Sequence, residues 1–263
     1  MNTPEAAHPV LVERSEGIVT IRFNRPQALN AISVPMADAF LSAVKDIASD
    51  SSVRAIVLAG VGKGFMAGGD LQTLRANPVE GASALIESMN EAVLLLSRLD
   101  APVIAKVHGV AAGAGLSLML HADFVLAADD ASFNLAYIQL GASCDVGASW
   151  LLPRVVGLRK ALEIAMLSEA FNATQAQELG LVNRVVPAAD LDREVGALAK
   201  RLARGPTLAY GAMKRLLHSS LHCSLEDSLI QEKAAFVRCA ATQDFLMGVE
   251  AFLQKKPARF NGR

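Results

Sequence analysis

Along the first two hundred residues, short runs of β-branched and apolar residues alternate with longer segments in which apolar positions recur every three or four. The runs GIVTIRF (17–23), VRAIVLAG (53–60), PVIAKV (102–107), DFVLAAD (123–129) and GLVNRVV (180–186) predict largely buried strands. Between the first two, Met36, Phe40, Val44 and Ile47 share one face of a predicted helix that Ser33 is placed to cap. Such alternation predicts an α/β fold or a close mixture. The stretch GVAAGAGLSLML (109–120), bounded by His108 and His121, is too short to span a bilayer and reads as a buried helix.

After about residue 196 the strand pattern stops. GPTLAYGAMKRLL, SLEDSLIQEKAAFVRCA and QDFLMGVEAFLQKK read as helices, and in the middle one Leu225, Leu229, Phe236 and Val237 fall near one face. An all-helical tail with an apolar face predicts packing on a neighbouring subunit. The division is therefore a core over 1–196 and a helical oligomerisation region over 197–263. No internal repeat or low-complexity linker interrupts it.

Composition narrows the partners. With 263 residues, 52% of them hydrophobic, the chain can bury a large core. A net charge of −1 gives no broad electrostatic reason to expect nucleic acid or an anionic membrane. Cys144, Cys223 and Cys239 are wrongly spaced for a zinc cluster, and their odd number suits free thiols in a reducing compartment. The opening MNTPEAAHPVLVERSEG has acids and prolines where a secretory signal needs a basic and then an apolar segment, so a cytoplasmic location is expected.

Two glycine-rich stretches carry candidate chemistry. AGVGKGFMAGGDL (59–71) follows a strand and either presents backbone N–H groups to an anion or polarised carbonyl, or is merely a loop. It is not a phosphate loop, because Lys63 is followed by Gly64 rather than Ser or Thr, and Gly60, Gly62 and Gly64 miss the dinucleotide spacing. HGVAAGAGLSLMLHAD runs from a strand into a helix whose first turn holds Gly113, Ala114 and Gly115. Free N–H groups there would make half of an oxyanion hole; tight helix packing through small residues is the alternative. In LGASCDVGASWLLPRVVG (140–157), Asp145 stands among small residues before an apolar run. It is either a solvated loop acid or a carboxylate in a pocket that alters its proton affinity.

Taken in order, NRPQALNAI (24–32), GFMAGGDL (64–71), VHGVAAGAGLSLMLHAD (107–123), ASFNLAYIQLGASCDVGASWLLPRVVG (131–157) and GVEAFLQKKPARF (248–260) resemble the enoyl-CoA hydratase/isomerase, or crotonase, family. The resemblance covers nearly the whole chain. It implies a spiral of ββα units with a C-terminal helical trimerisation region, assembled as a homotrimer or a dimer of trimers. It also implies a coenzyme A thioester as substrate, its carbonyl held by the backbone N–H groups of Gly69 and Ala114, and no metal or redox cofactor. By position, Arg25, Ala28, Leu29, Ala67, Asp70 and Leu71 fall in segments that hold coenzyme A. Phe252 and Lys255 match a C-terminal segment that reaches coenzyme A, often from a neighbouring subunit.

The departures from that family carry further information. Its hydratases position water with two glutamates, and the matching positions here are Ser117 and Tyr137. Neither replaces a carboxylate base, since an unperturbed tyrosine with a pKa near ~10 is protonated at neutral pH; Tyr137 is read as shaping the acyl pocket and Ser117 as bonded locally on a helix. Asp145, eight positions beyond Tyr137, occupies a place where dienoyl-CoA isomerases and ring-epoxide phenylacetyl-CoA isomerases carry an aspartate, and WLLPRVVG looks closest to the latter. The same place carries a nucleophilic aspartate in chlorobenzoyl-CoA dehalogenases, but 71–88 lacks the histidine those enzymes use. The expectation is an enoyl-CoA isomerase with Asp145 as acid–base residue. A hydratase and a non-catalytic acyl-CoA-binding protein are the alternatives.

Overall fold

The computed structural model describes residues 8–262. Its main sheet is ordered by how continuously each strand is apolar. Strand β1 (Val10–Ser15), whose charged residues face water, pairs antiparallel at the edge with β2 (Ile18–Phe23). Beside β2 lies β3 (Ala55–Gly60), buried at all six positions, as a parallel strand covered on both faces must be. The parallel ladder continues through β4 (Val103–Val107), then β6 and β9, after β5 (Val110–Ala112) has left the sheet; β6 is Phe124–Ala128. A second, three-stranded sheet joins β5 to β7 (Ser132–Asn134) and β8 (Phe171–Asn172), while β9 (Arg184–Val186) closes the first sheet.

Two layers of helix cover the main sheet. On one face, α1 (Val34–Ala48) packs along α3 (Pro78–Arg98), with α2 (Leu71–Ala76) leading into it. Ile56 and Leu58 of β3 join that core, where Phe23 meets Phe40 and Phe65 edge-on at centroid distances of 5.3 and 6.1 Å. Ala55 and Val57 alternate to the opposite face. Three helices near the small sheet follow: α4 (Ala114–Met119), α5 (Ala148–Val156) and α6 (Leu158–Leu167). After α7 (Ala173–Glu178), α8 (Leu191–Ala203) lays Leu191, Val195, Ala199 and Leu202 on the opposite face of the sheet.

The remaining chain forms α9 (Thr207–Ser220), α10 (Leu225–Ala240) and α11 (Gln243–Leu253). Ser224 and Thr242 cap the last two, each accepting from the N–H three residues on at 3.1 Å. The Asp244 carboxylate turns the tail back by accepting from the N–H groups of Asn261 and Gly262 at 2.6 and 2.8 Å. Among the described residues no helix is long and apolar enough to cross a membrane, and the cysteines are free thiols.

Three expectations change, and four strands appear that none predicted. The run 109–120 is not one helix: β5 takes its first part, and only 114–119 is helical, with all six residues buried. Ser33 stands at the N-cap of α1 but its hydroxyl makes no capping bond there. The boundary at 196/197 falls inside α8, and α8 packs on the core sheet, so it belongs to the core. Strands β1, β5, β7 and β8 had no sequence signal: the first is charged, and the others are only two or three residues long.

Candidate active site

The site begins where β3 ends. Asn30, buried and in the left-handed region at φ +59°, fixes the following loop with its side-chain amide. Its Nδ2 donates to Val61 O (2.9 Å) and Gly64 O (2.8 Å), and its Oδ1 accepts from Arg25 N–H (2.8 Å). Residues 66–70 then run between two backbone edges. On one side Met66 N–H donates to Val110 O and Ala112 N–H to Met66 O; on the other Ile32 N–H donates to Gly68 O and Asp70 N–H to Ile32 O. Ile32 thus makes both bonds of that bridge, and Gly69 between them turns its own N–H away from Ile32. Gly68, at φ +100°, permits the reversal.

Ala114 supplies the facing donor. Gly113, at φ +50°, ends β5 and starts α4, and its carbonyl accepts from Ser117 N–H at 3.0 Å and from Ser117 Oγ at 3.2 Å. That peptide's other end, the Ala114 N–H, points back out of the helix. The two loops touch: a Cβ on Gly113 would lie 3.6 Å from Gly68 Cα, and one on Gly115 would lie 2.2 Å from Met66 O. At Gly115 the close approach therefore leaves no room for a side chain, which is the tight-packing reading of the stretch. Among the described residues, neither the Gly69 nor the Ala114 N–H meets an acceptor. Two adjacent unpaired donors from separate loops can hold one developing oxyanion.

Asp145 lies in the loop before α5. Val146 (φ +48°) and Gly147 (φ +73°) turn the chain there, and His121 Nε2 donates to Val146 O at 2.9 Å to fix it. Burial lowers the His121 pKa, which favours the neutral ring. Tyr137 donates its phenolic proton to Asp145 Oδ1, and Ser117 Oγ stands 2.9 Å from the Tyr137 oxygen. Burial pushes the Asp145 carboxyl above its ordinary range, opposed by the Tyr137 hydrogen bond and its own N–H. Burial, then the charge on Asp145, pushes the Tyr137 phenol far above its ordinary value. The pair is consequently an ionisable acid and a permanent donor. Positions 117, 137 and 145 were read separately in the sequence, but the structure joins them.

The other predicted contacts divide into two groups. Arg25 donates to Ala31 O at 2.6 Å and pairs with Asp70 at 2.8 Å, while Asp70 caps α2 through Gln72 N–H. Partial burial works against the Asp70 carboxylate, yet the Arg25 guanidinium and the α2 N–H bonds outweigh it and hold its pKa below the usual range. Arg25 thus braces the loop that presents Gly69. Ala28 ends a short helical turn, Leu29 follows in the left-handed region at φ +48°, Ala67 donates to Leu29 O, and Leu71 is exposed. Phe252 is not brought to these donors within the chain: it lines an apolar groove of about 380 Å³ on the C-terminal helices with Leu208, Phe245 and Phe260. Lys255 follows α11 at φ +54°.

A largely parallel main sheet, two backbone N–H groups without acceptors and the half-buried Asp145 carboxylate together point to one family of folds. The family model for enoyl-CoA hydratase/isomerase matches residues 13–263, and the chain belongs to that family. A Rhodobacter capsulatus protein described as a probable enoyl-CoA hydratase is 36% identical over 256 residues, covering 97% of this chain and 99% of that one. The 1,2-epoxyphenylacetyl-CoA isomerase of Escherichia coli K12 is 36% identical over 258 residues, covering 97% and 98%. Among solved structures, an enoyl-CoA hydratase of Mycobacterium smegmatis superposes with a TM-score of 0.90 at 37% identity, covering 95% of this chain and 98% of that one. The fold expectation, a crotonase-type α/β chain with C-terminal helices, holds.

Proposed function

We propose that this chain is an enoyl-CoA isomerase that moves a β,γ double bond of an acyl-CoA thioester into α,β conjugation. The thioester carbonyl oxygen accepts from Gly69 N–H and Ala114 N–H. Asp145 takes a proton from the α carbon, the electron pair of that C–H bond enters a dienolate held by the two donors, and Asp145 returns the proton to the γ carbon. No metal or redox cofactor is needed in this sequence. Ala28, Leu29, Ala67 and Leu71 border the coenzyme path, with Arg25 and Asp70 bracing it. Phe252 and Lys255 contact coenzyme A from a neighbour in a homotrimer or dimer of trimers located in the cytoplasm.

The observation that supports this reading is the half-buried carboxylate of Asp145, bonded to Tyr137 where a hydratase of this family would offer carboxylates. One carboxylate suffices to carry a proton between two carbons, whereas hydration also requires an oriented water. Chromatography of thioesters against time tests it: β,γ-enoyl-CoA converts to the α,β isomer much faster than α,β-enoyl-CoA is hydrated. Rapid accumulation of the 3-hydroxyacyl product without a double-bond shift overturns the isomerase reading. The likeness to the E. coli epoxide isomerase supports a second reading, rearrangement of a ring acyl-CoA by the same acid and donors.

A further inference from the structure

Building on the reading of Asp145 as the base, we propose that Tyr137, backed by Ser117, is a positioning residue that pins one oxygen of the Asp145 carboxylate and ties it to the peptide carrying the Ala114 N–H. Ser117 is fully buried on α4, so its hydroxyl is fixed in place. Its one proton is shared between Gly113 O at 3.2 Å and the Tyr137 oxygen at 2.9 Å. The Tyr137 proton goes to Asp145 Oδ1. Gly113 C=O and Ala114 N–H are opposite ends of one planar peptide, so holding the carbonyl aims the donor. A continuous run of hydrogen bonds therefore links the oxyanion donor to the base.

The direction of the electrostatics explains what the relay does. Tyr137 stays protonated because burial and the adjacent carboxylate both disfavour its anion, and so it always donates. That donation favours the Asp145 carboxylate over its acid and offsets the burial that pushes the other way. With Oδ1 occupied and rotation restrained, Oδ2 is left to receive the substrate proton. The positions at which hydratases carry carboxylates thus serve a neighbouring base instead of acting as bases.

The test uses the full-length protein with Tyr137→Phe, Ser117→Ala and Asp145→Asn. In Tyr137→Phe, kcat for β,γ-enoyl-CoA falls about tenfold with KM within about twofold, and the acid limb of the pH profile moves up by about one unit, the size of a lost hydrogen bond to a charged group. Ser117→Ala shifts the limb the same way by less. Carbon-13 NMR of labelled aspartate, with the Asp145 signal assigned by its loss in Asp145→Asn, shows the same rise without substrate. Replacing Tyr137 by 3-fluorotyrosine in a Tyr210→Phe background, a stronger donor with the fold retained, moves the limb and the NMR titration down. An unmoved titration in both tyrosine variants overturns the proposal, as does a KM increase at unchanged kcat, which would make Tyr137 only a wall of the acyl pocket. Full turnover in Asp145→Asn sinks the base assignment instead, and the NMR titration still decides whether Tyr137 governs Asp145.

Discussion

In α1, Met36, Phe40 and Val44 are 0% exposed within one chain, whereas in α10 Leu225, Leu229 and Phe236 stand 76%, 55% and 65% exposed. Both helices are amphipathic by sequence, yet only the first finds its cover in the same chain. Ala235 is the single buried residue of α10. Burying a large apolar side chain is worth roughly 1.5–3 kcal/mol, so a face of this size is a substantial drive to associate. The Gly69 and Ala114 N–H groups and Asp145 are set by contacts inside the core, while α10 leaves its apolar face uncovered within the chain. Catalytic geometry and assembly are therefore separable by mutation.

The largest effect expected is at the base. Asp145→Asn retains coenzyme A binding and loses ~10²–10⁴-fold in kcat, measured by the thioester assay. Its stability should change in the opposite sense. The folded-state pKa of Asp145 is raised, so its contribution to stability is complete below the unfolded value of about 3.9 and is lost as pH climbs through the folded value. At pH 8 the wild type holds a poorly solvated charge that asparagine lacks. Calorimetry should then give the variant the higher Tm at pH 8, with the gap closing toward pH 4; a lower Tm at pH 8 contradicts the sign.

The assembly side of the comparison breaks next. Under the proposed trimer, Phe236→Asp places a charge on the exposed face of α10 and lowers the mass seen by light scattering to that of a single chain, with the far-ultraviolet spectrum of the core retained. A wild type that is already monomeric would refute the trimer. A smaller effect belongs to the core contact behind the donors: Gly115→Ala puts a methyl 2.2 Å from Met66 O and should cost ~1–3 kcal/mol in denaturant unfolding, together with activity. Smallest is Ser224→Ala, which removes the α10 cap at about 1 kcal/mol and leaves kcat unchanged.

Periodicity exposed what periodicity controls. Strands β2, β3, β4 and β6 and the α1 face Met36, Phe40, Val44 and Ile47 were legible because each repeats over at least two turns or several alternations, and β9, only three residues long, was legible through the longer apolar run 180–186 around it. Strands β5, β7 and β8 are too short for any repeat, and they exist because the small sheet lends them partners. The glycine-rich stretches marked the two places where backbone N–H groups could be presented, and the resemblance singled out Gly69 and Ala114 within them, since a backbone donor leaves no side-chain mark. Asp145 was picked out by its odd setting, but its bond to Tyr137 joins residues on two loops, and no spacing rule encodes that. The position count flagged Ser117 and Tyr137 as replacements; Ser117 was read as bonded locally on a helix and does bond Gly113 O, but its second contact with Tyr137 had no signal.

The donors at Gly69 and Ala114 belong to the main chain, and that bears on how this chemistry drifts over generations. A codon change swaps a side chain but leaves the N–H in place unless it introduces proline. At Gly69 an added Cβ would meet nothing closer than Leu74 Cδ1 at 3.4 Å, so even that position tolerates replacement without losing its donor. Under the proposed function, anchoring of the carbonyl is therefore insulated from most point mutations. On the same proposal, Ser117, Tyr137 and Asp145 act through their side chains, so substitutions there would alter the reaction while leaving the hold on the thioester in place.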